Sequence, residues 1–411
     1  MYDTVFITNT EIEQQGSMAE IAVVHMDLMA KGGGEAVCMN VLEALQEQYD
    51  ITLLTLTEPD FETLNDYFNT NVHDIAVELA GTAGPLLHRK YGIQYYILQN
   101  ALLSRYARRQ ADRFDLLISS INELGLPGKS LEYVHFPFDW TVNLDSQLRE
   151  RIFHPTVQEN GVYERLCTSV AGISNDTVAD SNLLANSEWT ATAVEKAYGE
   201  RPDVLYPPVD VSEFVDRPWE RRERGFVTVG RVERSKRIDT LIEILDGVRK
   251  EGHDTHLHVL GPIIDDEYGR EVANMATSRD YVTLEGEVSR DTLVERICSH
   301  RYGIHGKRYE HFGMAVAELV AGGTITFFPD SGGQSEIVNE RSELTYTSVS
   351  EAVENISRVL STPALQSSLR TRAETIRQQY GRERFQARIT SLVGDSLGEH
   401  SQTEPAPTPQ V

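Results

Sequence analysis

AEIAVVHMDLMAKGGGEAVCMNVLEALQEQYDITLLTLT, residues 19–57, decides the fold. An apolar run, AEIAVVHMDL, reads as a buried strand. KGGG (Lys31–Gly34) follows it as a turn without Cβ atoms, and EAVCMNVLEALQE continues as a helix. YDITLLTLT is then a second strand. Strand, glycine loop, helix and strand in that order make a βαβ unit with parallel strands. Working outward, FDLLISS (114–120) and SLEYVHFPF (130–138) read as further strands of the same sheet, and residues 170–199 supply a helix, the strand SNLLANS and another helix.

RPDVLYPPVDVSEF (201–214) breaks the series, because Pro207 and Pro208 exclude a helix there. A second α/β series begins after it: RGFVTVGRV, the helix RIDTLIEILDGVRKEG, the strands THLHVLGP and YVTLEGEV, the helix RDTLVERICSH, the strand RYGIHG, the helix FGMAVAELVAGG and the strand and turn TITFFPDSGG. The expectation is an α/β protein of two Rossmann-like, doubly wound domains. The first covers 1–200 and the second 201–374, with helical periodicity from 364 to 394. Residues 1–18 read as polar and loose, and the proline-rich end, 396–411, as a disordered tail.

The chain has 411 residues and a formal net charge of -25, from 63 acids and 38 bases. Either this is a solvated acidic surface, or it adapts the protein to high salt, where screening removes carboxylate repulsion. Nucleic acid is excluded as a partner, since a phosphate backbone needs a broad basic face. Three scattered cysteines, Cys38, Cys167 and Cys298, point to a reducing cytoplasm and away from a disulfide framework or zinc site. Neither a membrane-spanning run nor a secretory leader is read in the sequence.

Several stretches carry chemistry. The triple glycine follows the first strand, where open parallel sheets bind ligands, and lets a ligand approach the backbone closely; a plain tight turn is the other reading. VGRVERSKR (229–237) places Arg231, Lys236 and Arg237 before a helix. Eight bases against three acids lie between Arg217 and Arg237. Such a cluster in an acidic chain suits a diphosphate; otherwise it is a solvated charge run. In EHFGMAVAE, Glu310 precedes a helix expected to begin near Gly313, and Glu318 lies inside it. At about 1.5 Å per residue the two carboxylates stand roughly 10 Å apart along the axis, enough to bracket a nucleotide sugar. Glu318 could equally be a boundary residue on a half-buried helix. In YVHFPFDW (133–140), His135 ends a strand, and by itself such a histidine is more often structural. Residues 86–113 hold six bases and one acid among aromatics. They read either as a membrane-surface segment or as a packed helix with a wet basic face.

Taken in order, GRVERSKR, HVLGP, EGEVSRDTL, EHFGMAVAE and SGGQSEIV resemble the retaining GT4-type glycosyltransferases of the GT-B architecture. Within these, KGGGEA, YVHFP and EHFGMAVAE are most similar to the α-1,2-mannosyltransferases of dolichol-linked oligosaccharide assembly. The resemblance implies two Rossmann-like domains facing across a cleft, with a final helix, about 375–395, returning to the first. It implies donor binding by Gly33, Gly34, Arg231, Lys236, Glu318, Phe312, Gly313 and Met314. Glu310 and His135 would be the catalytic residues, the first against the donor sugar and the second near the transferred group, and Glu35 would bind acceptor. The donor would be a nucleotide sugar, GDP-mannose or a UDP-sugar, and the acceptor a lipid-linked oligosaccharide or glycan. No D-x-D motif is present, and no metal or other cofactor is expected. The alternatives are a nucleotide-sugar epimerase on the same plan and a non-catalytic binding partner of another transferase.

Overall fold

A computed structural model describes residues 18–91, 95–137, 161–210, 212–215, 217–338, 341–370, 376 and 378–398. The readings made for residues 1–17, for Phe138 to Trp140 and for 399–411 fall outside them.

The first sheet contains β1 (Glu20–Val24), β2 (Asp50–Thr55), β3 (Ala76–Leu79), β4 (Leu116–Ser119), β5 (Ser130–Val134), β6 (Asn182–Ala185) and β7 (Asp203–Val204), in the order β3-β2-β1-β4-β5-β6-β7. Its helices are α1 (Gly33–Leu45), α2 (Phe61–Phe68), α3 (Ala83–Tyr91), α4 (Tyr96–Gln110), α5 (Gly161–Ala171), α6 (Asn175–Ala179) and α7 (Glu188–Tyr198). All recorded strand pairs are parallel. Both faces are covered, as a continuous apolar run requires. Ile21 and Val23 of β1 enter one core with Leu42 and Leu45 of α1, while Ala22 and Val24 enter another with Leu103 and Ala107 of α4.

The second sheet contains β8 (Glu223–Val229), β9 (Leu257–Leu260), β10 (Val282–Gly286), β11 (His300–Ile304), β12 (Ile325–Pro329) and β13 (Thr345–Tyr346), in the order β10-β9-β8-β11-β12-β13. It is flanked by α8 (Ile238–Lys250), α9 (Glu267–Thr277), α10 (Arg290–Ser299), α11 (Met314–Ala321), α12 (Gln334–Ile337), α13 (Val349–Ser361) and α14 (Pro363–Arg370). Both sheets reverse direction beside their first strand, at β1/β4 and β8/β11. These are the switch points where ligands bind at strand carboxyl ends.

The return of the chain differs from the single helix expected at 375–395. Tyr380 is buried against Tyr206 and Phe312, and its carbonyl accepts from the Val209 amide at 2.8 Å. The helix then restarts as α15 (Arg382–Leu397), whose Phe385, Ile389 and Val393 complete the first domain's core. Gly398 caps it in the left-handed region at φ 85°, so Ser396 and Leu397 are helical, not part of a loose tail.

Several elements escaped the sequence reading, among them β3 and α9. β3 is a short edge strand with no buried residue. The polar segment of α9 hides an apolar face, since Tyr268, Val272 and Ala276 recur every four residues and are all buried. In the basic segment 86–113, α4 is a packed helix. Arg105 donates to the Val170 carbonyl, Arg108 to that of Gly125, and Arg113 pairs with Glu78. Leu86, Tyr91 and Tyr95 nonetheless stand exposed beside Arg89 and Lys90. Among the described residues no helix is long and apolar enough to cross a membrane.

Candidate functional site

The glycine loop leaves β1 and opens α1. Glu35, in the first turn, accepts the Gly32 amide proton at 2.7 Å and meets the buried His25 ring at 3.5 Å. Burial works to raise the Glu35 pKa, but the hydrogen bonds and charge of His25 and the Gly32 amide outweigh it and bring it below its ordinary value. The side chain of Glu35 is therefore spent on bracing the loop. His88 of α3 bridges Asp27 at 3.0 Å and Gln99 at 2.6 Å, tying α3 and α4 to the end of β1.

Gly33 and Gly34 each lie close to a side chain that lines the cleft. A Cβ on Gly33 would stand 2.9 Å from the Met314 sulfur, and one on Gly34 would stand 3.4 Å from His135 Nε2. Met314 begins α11 of the second domain, so the loop faces that helix across the cleft. His135 sits on the loop's other flank. Burial lowers its pKa and keeps the ring neutral. In that form Nε2–H donates to the Ser120 carbonyl at 2.9 Å and leaves Nδ1 as an acceptor.

Opposite the loop, Glu310 stands just before α11. Lys236 Nζ lies 3.2 Å from its Oε2, Lys307 Nζ 2.9 Å from its Oε1, and His305 Nε2 3.3 Å from Oε2. Burial alone would raise the Glu310 pKa. Lys236, Lys307 and His305 instead hold it well below the ordinary carboxylate range. Burial pushes the Lys236 ammonium down, against the attraction of Glu310. The site thus contains a buried carboxylate with two ammonium groups, more positive than negative. Lys307 and His305 were not singled out in the sequence, because IHGKRYEHFG read only as a strand and loop. Arg231, on the turn after β8, is half exposed and 3.8 Å from Glu233.

Glu318, inside α11, pairs with Arg290 at 2.6 Å, and Arg290 also binds Glu213 at 2.6 Å. Tyr67 of α2 lies near this group from the first domain; burial and the charges of Glu318 and Glu287 raise its pKa, while Arg290 and Arg231 oppose them. Gly313 caps α11 with φ 99°. The Phe312 side chain is buried against Tyr206 and Tyr380, which leaves only its backbone for a ligand.

Between Glu310 and Phe312, His311 joins the two domains. Its ring stacks on Phe136 at 4.8 Å and lies parallel to Trp189 at 6.1 Å. Its carbonyl accepts from the Ser187 hydroxyl at 2.6 Å. Nearby, Glu336 accepts from the amides of Glu188 and Trp189 at 3.0 and 2.8 Å, capping α7 from the other domain. Burial lowers the His311 pKa from 6.5 to about 3, with Lys307 assisting. A histidine kept neutral in the fold stabilises it above its unfolded pKa and ceases to do so as pH falls toward the folded value. Stability is therefore expected to decline below pH 6.5, His311 contributing up to about 1.4 kcal/mol per pH unit. Denaturant unfolding of His311→Phe at a series of pH values checks this; the variant should show a shallower decline than the parent.

Residues 212–376 match the family model described as Glycosyl transferases group 1. The chain is similar to the mouse (Mus musculus) protein named GDP-Man:Man(3)GlcNAc(2)-PP-Dol alpha-1,2-mannosyltransferase, 27% identical over 168 residues, which are 37% of this chain and 34% of that protein. The Dictyostelium discoideum protein of the same name is 21% identical over 397 residues, 84% of this chain and 78% of that one. The match to the Neurospora crassa protein of that name spans 45% of its length, so several of these alignments cover less than half of the relative. Among solved structures, the Anabaena protein HepE in complex with UDP-glucose superimposes with a TM-score of 0.66 at 14% identity, over 92% of this chain and 100% of that one. The sucrose-phosphate synthase of Thermosynechococcus elongatus does so with a TM-score of 0.68 at 15% identity, over 92% and 99%. Two parallel Rossmann-like sheets, a site at their switch points and these matches together place a glycosyl transferases group 1 domain at residues 212–376, in a chain with the two-domain GT-B fold.

Proposed function

We propose that the cleft moves a mannosyl group from GDP-mannose to a lipid-linked oligosaccharide or glycan, with retention of anomeric configuration. The observation that supports this most is the Lys236–Glu310–Lys307 cluster lying across the cleft from the triple glycine. The mannosyl choice rests on the names of the relatives, and a UDP-sugar is the other donor class. The division at residue 201 makes the first domain the acceptor side and residues 201–374 the donor side.

In this reading the diphosphate lies at the amino end of α11, where free amides and the helix dipole favour anions. Lys236 and Arg231 add the cationic charge that draws off the nucleoside diphosphate, so the transfer is expected to proceed without an added metal. Glu310, ionised between two ammonium groups, faces the sugar and stabilises the positive charge that grows on its ring. Glu318, oriented by Arg290, receives the ribose hydroxyls. Gly33 and Gly34 bring loop amides close to the donor sugar, and Glu35 acts through the loop it braces. His135 offers Nδ1 to a sugar hydroxyl. The acceptor enters over the first domain, where Leu86, Tyr91 and Tyr95 beside Arg89 and Lys90 make a peripheral contact with a cytoplasmic membrane face. The acidic surface suits a high-salt cytoplasm.

Incubating the enzyme at high salt with GDP-mannose or UDP-glucose, with and without a dolichol-type diphosphate-oligosaccharide, tests the reading. Mannose transferred to the lipid in the α configuration is the expected result. Donor epimerised without acceptor, or donor bound but never transferred, would replace it with one of the other two activities.

A further inference from the structure

A second cluster lies at the opposite end of the second sheet from the cleft. Glu223 is the first residue of β8 and His300 the first of β11, and the two are paired in register. His256 precedes β9 and His258 is its second residue; two positions apart, they share one face of that strand. One ligand atom from each of the four residues lies within 4.8 Å of the others. Three of the chain's 12 histidines are therefore gathered at one point.

We propose that Glu223, His256, His258 and His300 form a binding site for one divalent transition-metal ion, with zinc the best match to three imidazoles and one carboxylate. The spacing fits. His256 Nε2 is 3.2 Å from Glu223 Oε2 and 3.3 Å from His300 Nε2, and His300 Nε2 is 3.9 Å from Glu223 Oε2. Ligand atoms about 2.0–2.1 Å from a tetrahedral zinc stand roughly 3.3 Å apart. The ring orientations fit as well. Nδ1 of His300 is held by the Arg296 carbonyl at 2.7 Å, and Nδ1 of His258 by the Glu285 carboxylate at 2.6 Å. A donating Nδ1–H fixes the tautomer and leaves Nε2 with its lone pair, as metal-ligating histidines require. Glu285 is itself held by Arg296 at 3.1 Å. Finally, Gly225 leaves the space that the His256 ring occupies; a Cβ there would overlap the ring.

The ion would join β8, β9 and β11 at their amino ends, away from the diphosphate site. Its role is to hold the second domain together, not to take part in transfer. Sequence reading passed over it because the ligands run from Glu223 to His300 without cysteines, and His256 and His258 lie in a stretch read only as a strand.

The full-length chain, stripped with EDTA and held at high salt to suppress binding to surface acids, is titrated with zinc chloride by calorimetry and with cobalt chloride by visible absorption. One zinc per chain and an intense tetrahedral cobalt spectrum are expected, with a raised thermal transition. His256→Ala/His258→Ala should lose binding at least about a hundredfold, and the milder Glu223→Gln and Glu285→Gln about tenfold or more. Should the double variant fail to fold, the two milder ones decide. Zinc affinity unchanged in both, an octahedral cobalt spectrum, or no stoichiometric binding by the parent chain overturns the site.

Discussion

A Glu310→Gln variant is expected to keep its fold and its affinity for donor while losing at least about a hundredfold in kcat. The carboxylate is ionised in the site, with Lys236 and Lys307 at 3.2 and 2.9 Å. In the proposed reaction it matters most when the sugar becomes cationic, so its loss falls on the transition state and not on the ground state. Glutamine keeps the shape and one carbonyl acceptor. Alanine would also abolish transfer, but it would leave Lys236 and Lys307 close together with no carboxylate between them, a change that costs stability of its own. Steady-state kinetics with a parallel unfolding curve checks the point; an unchanged kcat in a folded glutamine variant removes Glu310 from the chemistry.

The second large effect is expected at Lys236. Lys236→Ala should weaken nucleoside diphosphate binding by about ten- to a hundredfold, the worth of one charge-assisted hydrogen bond. In the structure its ammonium binds Glu310, so donor must compete for it or share it. Glu310 retains Lys307 and His305 in the variant, which limits the damage to the fold. Arg231 is half exposed and bound only loosely to Glu233 at 3.8 Å, free to turn onto a phosphate; Arg231→Ala should cost less than Lys236→Ala. A nucleoside lacking phosphates should bind the parent and Lys236→Ala equally. Weaker nucleoside binding in the variant would show that the lysine shapes the base pocket and not the diphosphate site.

Much of this was written in local patterns. The apolar runs of β1, β2, β4 and β8 and the glycine turn after β1 gave the two α/β series, because strands buried on both faces must be continuously apolar. The start of α11 just after Gly313 was legible for a similar reason, since a small-residue helix followed a glycine. What stayed hidden depends on residues far apart in the chain. Arg290 reaches Glu318 from another helix, His25 braces Glu35 from β1, and the His311 stack needs Phe136 and Trp189 from the other domain. No periodicity records such pairings. The burial of Phe312 was hidden in the same way: its ring turns into the second domain's core, against residues distant in the chain.

The most direct test is calorimetric titration of GDP and UDP into the parent chain and the Arg231→Ala/Lys236→Ala double variant at high salt. If the cleft holds a nucleoside diphosphate by these cations at the amino end of α11, one nucleotide binds the parent and its affinity falls at least about a hundredfold in the folded double variant. Equal affinity in the two proteins would contradict the diphosphate assignment, and with it the mechanism built on it.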